Sequence, residues 1–164
     1  MAEQSHDRAD VALFAGGCFW GVEDVFRHVK GVIKTSVGYS GGQAAQPSYK
    51  QVCSGTTGHA ETVRVEFDPA QASYRQLLDA FWENHDPTTP NRQGLDVGTQ
   101  YRSAIFYLND QQKREAEESK ARLAASGRYG RPIVTEITPA SEFWMAEDYH
   151  QQYFEKRGIS HCEI

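Results

Sequence analysis

Two periods alternate along the chain. A short continuous apolar run, Val11–Ala15, has the length and content of a buried strand. Phe19, Val22, Phe26 and Val29 then recur at intervals of three and four and predict a helix over Phe19–Val29. Val32–Tyr39 predicts a second strand. Over Thr62–Phe67, Val63, Val65 and Phe67 alternate with Thr62, Arg64 and Glu66, a half-buried strand closed by Asp68-Pro69. Ser73 and Gln76 have capping-box spacing ahead of a helix carrying Leu77, Leu78, Phe81 and Trp82. Ser103–Leu108 predicts another strand, and Asp110–Ser126 a polar helix stopped by Gly127. Ile133–Ile137 and Phe143–Lys156 predict a last strand and a last helix. The first six elements follow the order of a split βαβ, or ferredoxin-like, unit. The expected fold is α/β of the α+β type: a two-layer sandwich on that core, with an added C-terminal helix and tail.

Size and composition narrow the function classes. With 164 residues, the chain fits one domain over 1–164 and can bury a core without disulfides. A net charge of −5, with no cluster of Lys or Arg, argues against nucleic acid or an anionic membrane as partner. No apolar run approaches the roughly 18 residues that span a bilayer. Residues 1–10 are polar, lack the apolar region of a signal peptide, and read as a disordered lead-in to a cytoplasmic protein. Residues 158–164 read as a mobile tail. Cys18, Cys53 and Cys162 make an odd count without paired spacing, so neither a disulfide framework nor a zinc site is supported. Such cysteines are buried fillers or redox chemistry.

Chemistry concentrates at Cys18. It follows Gly16-Gly17 at the junction of strand and helix, among the unpaired N–H groups of a helix start. A helix start contributes at most about 2 kcal/mol, roughly one pKa unit, so the thiol still holds its proton at neutral pH. Two connections are long enough to be functional: Ser40–Ala60, with Tyr49 and Cys53, and His85–Tyr101, with Asp96 and Tyr101.

Four blocks carry a family resemblance: Gly17-Cys18-Phe19-Trp20-Gly21, Gly38-Tyr39-Ser40-Gly41-Gly42, the run from Cys53 to Glu61, and the run from Gly94 to Ser103. In this order they resemble the signature blocks of peptide methionine sulfoxide reductase A, over about Val11 to Tyr153. The resemblance implies an enzyme that reduces methionine S-sulfoxide, free or in oxidised proteins. Cys18 would attack the sulfoxide sulfur and Glu61 would protonate the oxygen. Tyr49 and Tyr101 would donate hydrogen bonds to that oxygen, and Asp96 would support the site through hydrogen bonds. Phe19 and Trp20 would wall the pocket for the substrate methyl group, Trp20 lying off the helix's apolar stripe and Phe19 on it. A carboxyl and a thiol in one apolar pocket both rise in pKa, so the pair is expected to share a proton, with Glu61 tending to stay neutral and able to donate it, a transfer that substrate binding completes.

The sulfenic acid left on Cys18 needs a second thiol. Family members commonly keep one in the tail, which implies Cys162 as the resolving cysteine and thioredoxin as the reductant. The tail here has one glycine, Gly158, and a single cysteine, so one disulfide is the simple relay. No metal, flavin or nicotinamide is implied, since thiols supply the electrons. Cys53 is expected to be a buried filler. His59, His85 and His150 are expected to be caps or satisfied surface histidines, and Tyr39 structural. Two other functions stay open on the residues alone. One is a hydrolase or acyltransferase pairing Cys18 with His59 or His150; the other is a non-catalytic reader of oxidised methionine.

Overall fold

A computed structural model describes residues 9–156; the leading segment and the tail with Cys162 lie outside the described residues. Strand β1 (Asp10–Gly16) leads into helix α1 (Phe19–Arg27), then β2 (Val32–Ser40), the short helix α2 (Tyr49–Cys53) and β3 (Ala60–Phe67). Helix α3 (Tyr74–Glu83) precedes a small hairpin, β4 (Arg92–Gln93) and β5 (Asp96–Val97), and a 3-10 turn over Thr99–Tyr101. Strand β6 (Ser103–Tyr107), helix α4 (Asp110–Ala125), β7 (Glu136–Pro139), β8 (Trp144–Met145), a second 3-10 turn (Asp148–His150) and helix α5 (Tyr153–Lys156) complete the chain.

The main sheet runs β7-β6-β1-β3-β2-β8. β3 is antiparallel to both β1 and β2, which are therefore parallel to each other with β3 inserted between them. Alternation sorts the strand residues onto two faces. Ala12, Phe14, Val63, Val65 and Phe67 pack with Phe19, Phe26, Leu77, Leu78, Phe81 and Ala116 from the helices. On the other face Leu13, Ala15, Ala104 and Phe106 are covered by Ala140 and Phe143. The α3 start is built as its sequence predicts: Ser73 Oγ accepts from Gln76 N–H at 3.1 Å, and the Gln76 side chain answers by accepting from Ser73 N–H at 2.8 Å.

Two predicted elements differ. The strand expected over Ile133–Ile137 sits later, at Glu136–Pro139, because its parallel pairing with Ala104–Tyr107 fixes the register. No continuous helix fills Phe143–Lys156. Trp144 and Met145 instead pair with Tyr39 and Gly38 along the edge of β2. Downstream, the Gln151 carboxamide accepts from Val37 N–H and donates to Val37 C=O, both at 2.8 Å. Covering an open strand edge outweighs local helix propensity. Gln152, at φ 49°, then turns the chain out of the strap. Asp10, expected in the lead-in, is already paired with Phe67 in β1.

Candidate active site

Gly17 adopts φ 104°, open to glycine, and delivers Cys18 to the N-cap of α1. The thiol is half-buried and unbridged among the described residues. No backbone amide closes a cap hydrogen bond onto it, although those of Trp20 and Gly21 still favour the thiolate. Burial outweighs them. With help from the charges of Glu61 and Asp96, it pushes the thiol up to about 12, so Cys18 carries its proton at neutral pH.

Glu61 lies in β3, paired across the ladder with Tyr39, and is 2% exposed. Its Oε1 accepts the N–H of Phe19, the residue after Cys18, at 3.1 Å. One hydrogen bond thus ties the carboxyl to the helix start that carries the thiol. Its Oε2 is buried and has no partner among the described residues. Burial, with a smaller push from Asp96, raises the carboxyl to about 8 against the lowering effect of the Phe19 amide. A neutral carboxyl resolves the conflict between burial and charge, and it leaves a hydroxyl donor without an acceptor.

The two phenols come from the two long connections. Tyr49 opens α2 behind a capping box of Ser48 and Gln51. Tyr101 ends the first 3-10 turn. Burial first, and then the Cys53 and Glu61 groups, hold the Tyr49 hydroxyl above the ordinary phenol range; burial and then Glu61 do the same for Tyr101, which also feels Asp96 and Cys18. Both are therefore protonated donors within reach of the Glu61 charge. Phe19 is fully buried, its ring against Tyr39, Tyr49 and His150. Trp20 is half-buried and stacks on Tyr153 with centroids 3.8 Å apart. The Asp96 side chain makes no hydrogen bond among the described residues, against the expected supporting bonds; it lines the cleft beside Cys18 and acts on the pair through its charge.

Three expectations need correction. Cys53 is exposed rather than a buried filler, because five-residue α2 buries only Val52 and leaves its last residue at the surface. There burial pushes the Cys53 thiol up, against the Tyr49 hydroxyl, which favours its thiolate. His59 and His150 are buried rather than on the surface. His59 is satisfied on both nitrogens: Nδ1 accepts from Gly42 N–H at 3.0 Å and Nε2 donates to the Ala44 carbonyl at 2.6 Å. His150 accepts the Trp20 indole N–H on Nδ1 at 2.9 Å. Neither forms a hydrogen bond with Cys18, and the thiol is pushed up, opposite to a cysteine paired with a histidine.

Sequence reasoning missed Glu147. It accepts the Tyr39 hydroxyl on Oε1 at 2.8 Å and the Tyr49 backbone N–H on Oε2 at 2.9 Å, fixing the start of α2. Glu147 and His150 belong to the strap misread as helix, and Tyr153 to the short helix that follows it, so no spacing in the sequence aimed them at the site.

Comparison with known proteins decides the family. The model of the peptide methionine sulfoxide reductase family matches residues 10–164. The chain belongs to this family. It is 62% identical to peptide methionine sulfoxide reductase MsrA of Methanosarcina acetivorans, over 96% of this chain and 84% of that one. Among solved structures, methionine sulfoxide reductase A of Corynebacterium diphtheriae superposes with a TM-score of 0.83 at 41% identity, covering 94% of this chain and 78% of that one. Mxr1 of Saccharomyces cerevisiae in reduced form superposes with a TM-score of 0.87 at 36% identity, covering 95% and 90%. Mxr1 in complex with Trx2 superposes with a TM-score of 0.64 at 26% identity, covering 90% and 86%. Within the reductase family fold, the thiol, the carboxyl and both phenols of this chain come from four separate segments, with the Glu61 charge acting on the other three.

Proposed function

We propose that this member of the reductase family reduces methionine S-sulfoxide, free or in oxidised proteins, to methionine, with Cys18 as nucleophile and Glu61 as acid. The unpartnered Oε2 of Glu61, on a carboxyl bonded to the amide next to Cys18, carries the reading. A sulfoxide oxygen is a strong acceptor and would take the Glu61 proton together with hydrogen bonds from Tyr49 and Tyr101. Cys18 attacks the sulfur and passes its own proton to Glu61, restoring the acid; an S–O bond to the cysteine replaces that to the substrate, and methionine leaves with Cys18 as sulfenic acid. A second thiol, Cys162 in the tail outside the described residues, condenses with it to a disulfide and water. Two electrons from a dithiol such as thioredoxin then restore both thiols, a cycle suited to a reducing compartment such as the cytoplasm. Removing one aligned donor from a dry site costs about 3–4 kcal/mol of barrier, so carboxyl and phenols together account for much of the catalysis. No helix among the described residues is long and apolar enough to cross a membrane.

The test is a thiol titration before and after methionine sulfoxide is added without reductant, with mass spectrometry of the product. Two thiols per chain should disappear as methionine forms, with Cys18 joined to Cys162. Unchanged thiols refute the reductase, and a Cys18–Cys53 bond refutes the tail assignment.

A further inference from the structure

A cleft of about 180 Å³ opens beside Cys18. Val22 and Val25 of α1 form one wall; Gln93, Leu95 and Asp96 of the β4–β5 hairpin form the other. Neither Glu61, Tyr49 and Tyr101 nor the rings of Phe19 and Trp20 line it. The hairpin is anchored. Gln93 accepts from Asp86 N–H at 2.7 Å and donates to the Asp86 carbonyl at 2.9 Å, and its stem lies so close to Gly17 that a Cβ there would come within 2.8 Å. Yet Leu95, which lines the cleft, is 89% exposed, and Val97, two residues on in the outer strand, is 69% exposed, two bare aliphatic side chains at the rim.

The substrate's geometry says what would cover them. A sulfoxide sulfur bears three groups: oxygen, methyl and the stem leading to the main chain. With the oxygen at Glu61 and the methyl against the aromatic wall, the stem leaves by the remaining open side, the cleft. Resting on the proposed reaction, we infer that this cleft and the Leu95–Val97 edge are a subsite for the polypeptide around the oxidised methionine, and that it selects an apolar neighbouring side chain. The volume is well below the roughly 300–1,000 Å³ of pockets for whole drug-sized ligands and suits a single side chain.

Single-turnover reduction of three substrates tests this: N-acetylmethionine sulfoxide, a peptide with leucines flanking the sulfoxide, and the same peptide with glycines. The parent should prefer the leucine peptide about tenfold, the scale of one small aliphatic contact in a pocket. The double variant Leu95→Ser, Val97→Ser, altered only at exposed positions, should lose that preference and keep the parent's rate on N-acetylmethionine sulfoxide. Equal rates for both peptides with the parent, or equal slowing on all three substrates, would overturn the subsite. Slowing confined to thioredoxin-driven steady state would overturn it too, assigning the edge to the reductant instead. Failure of the parent on N-acetylmethionine sulfoxide contradicts the proposed reaction itself and so is told apart from failure of the subsite.

Discussion

Replacing Glu61 by glutamine should stabilise the fold while removing its chemistry, and the gain should depend on pH. The folded carboxyl is raised from an ordinary 4.5 to about 8. Between those values the folded chain holds a proton that the unfolded chain has released, so its stability falls as pH rises. At pH 7 the group has been carried two and a half units past its ordinary value, at about 1.4 kcal/mol each, a cost of about 3 kcal/mol. The cost levels off above about pH 8, where the folded carboxyl also ionises. Glutamine keeps an acceptor for the Phe19 N–H and has no proton to lose. Urea denaturation at intervals from pH 4.5 to 8.5 should therefore show the two proteins diverging, with Glu61→Gln ahead by about 3 kcal/mol at neutral pH. Parallel stability curves across that range would show that Glu61 is not held neutral in the fold, and the reasoning would fail.

Other perturbations separate placement from chemistry. Tyr49→Phe and Tyr101→Phe should each slow single-turnover reduction by about 10²–10³, the range for one lost donor, with little change in urea midpoint; rates within threefold of the parent would remove the phenols from the reaction. Glu147→Ala should release the Tyr39 hydroxyl and the Tyr49 amide, costing about 2–3 kcal/mol in urea denaturation and slowing reduction as α2 loosens. Unaltered rate and stability would deny it that role. Ser73→Ala breaks the α3 capping box and should cost about 1 kcal/mol while leaving reduction untouched, a control for stability effects alone.

Local physics made much of the fold legible. The apolar run of β1, the stripe of α1, the alternation in β3 and the capping box at Ser73 each describe a segment whose neighbours agree with its own preference. Where pairing partners lie far off, the reading slipped. The strand at Glu136–Pro139 takes its register from β6, and the strap after Ala140 is held by Gln151 reaching Val37, neither of which leaves a periodic trace. Cys18, Glu61, Tyr101 and Asp96 were visible because motif blocks carry them, and Tyr49 because it sits in a connection too long to be a mere link. The burial that leaves Glu61 neutral was foreseen in direction. Glu147 was hidden, and the buried contact of His150 with Trp20 unforeseen, because both rest on hydrogen bonds that exist only once the strap is docked. Cys53 was misjudged because the isolated-cysteine rule cannot register how short α2 is.

The most direct test of the whole account is the pH profile of methionine formation in a single turnover without reductant, for the parent and Glu61→Gln. Because Glu61 donates only while it holds its proton, the parent rate should fall as pH rises through about 8. Glu61→Gln should run about 10²–10⁴ slower at pH 7 and lack that fall. A variant matching the parent in both rate and profile would contradict the claim that a buried, protonated Glu61 serves the thiol of Cys18.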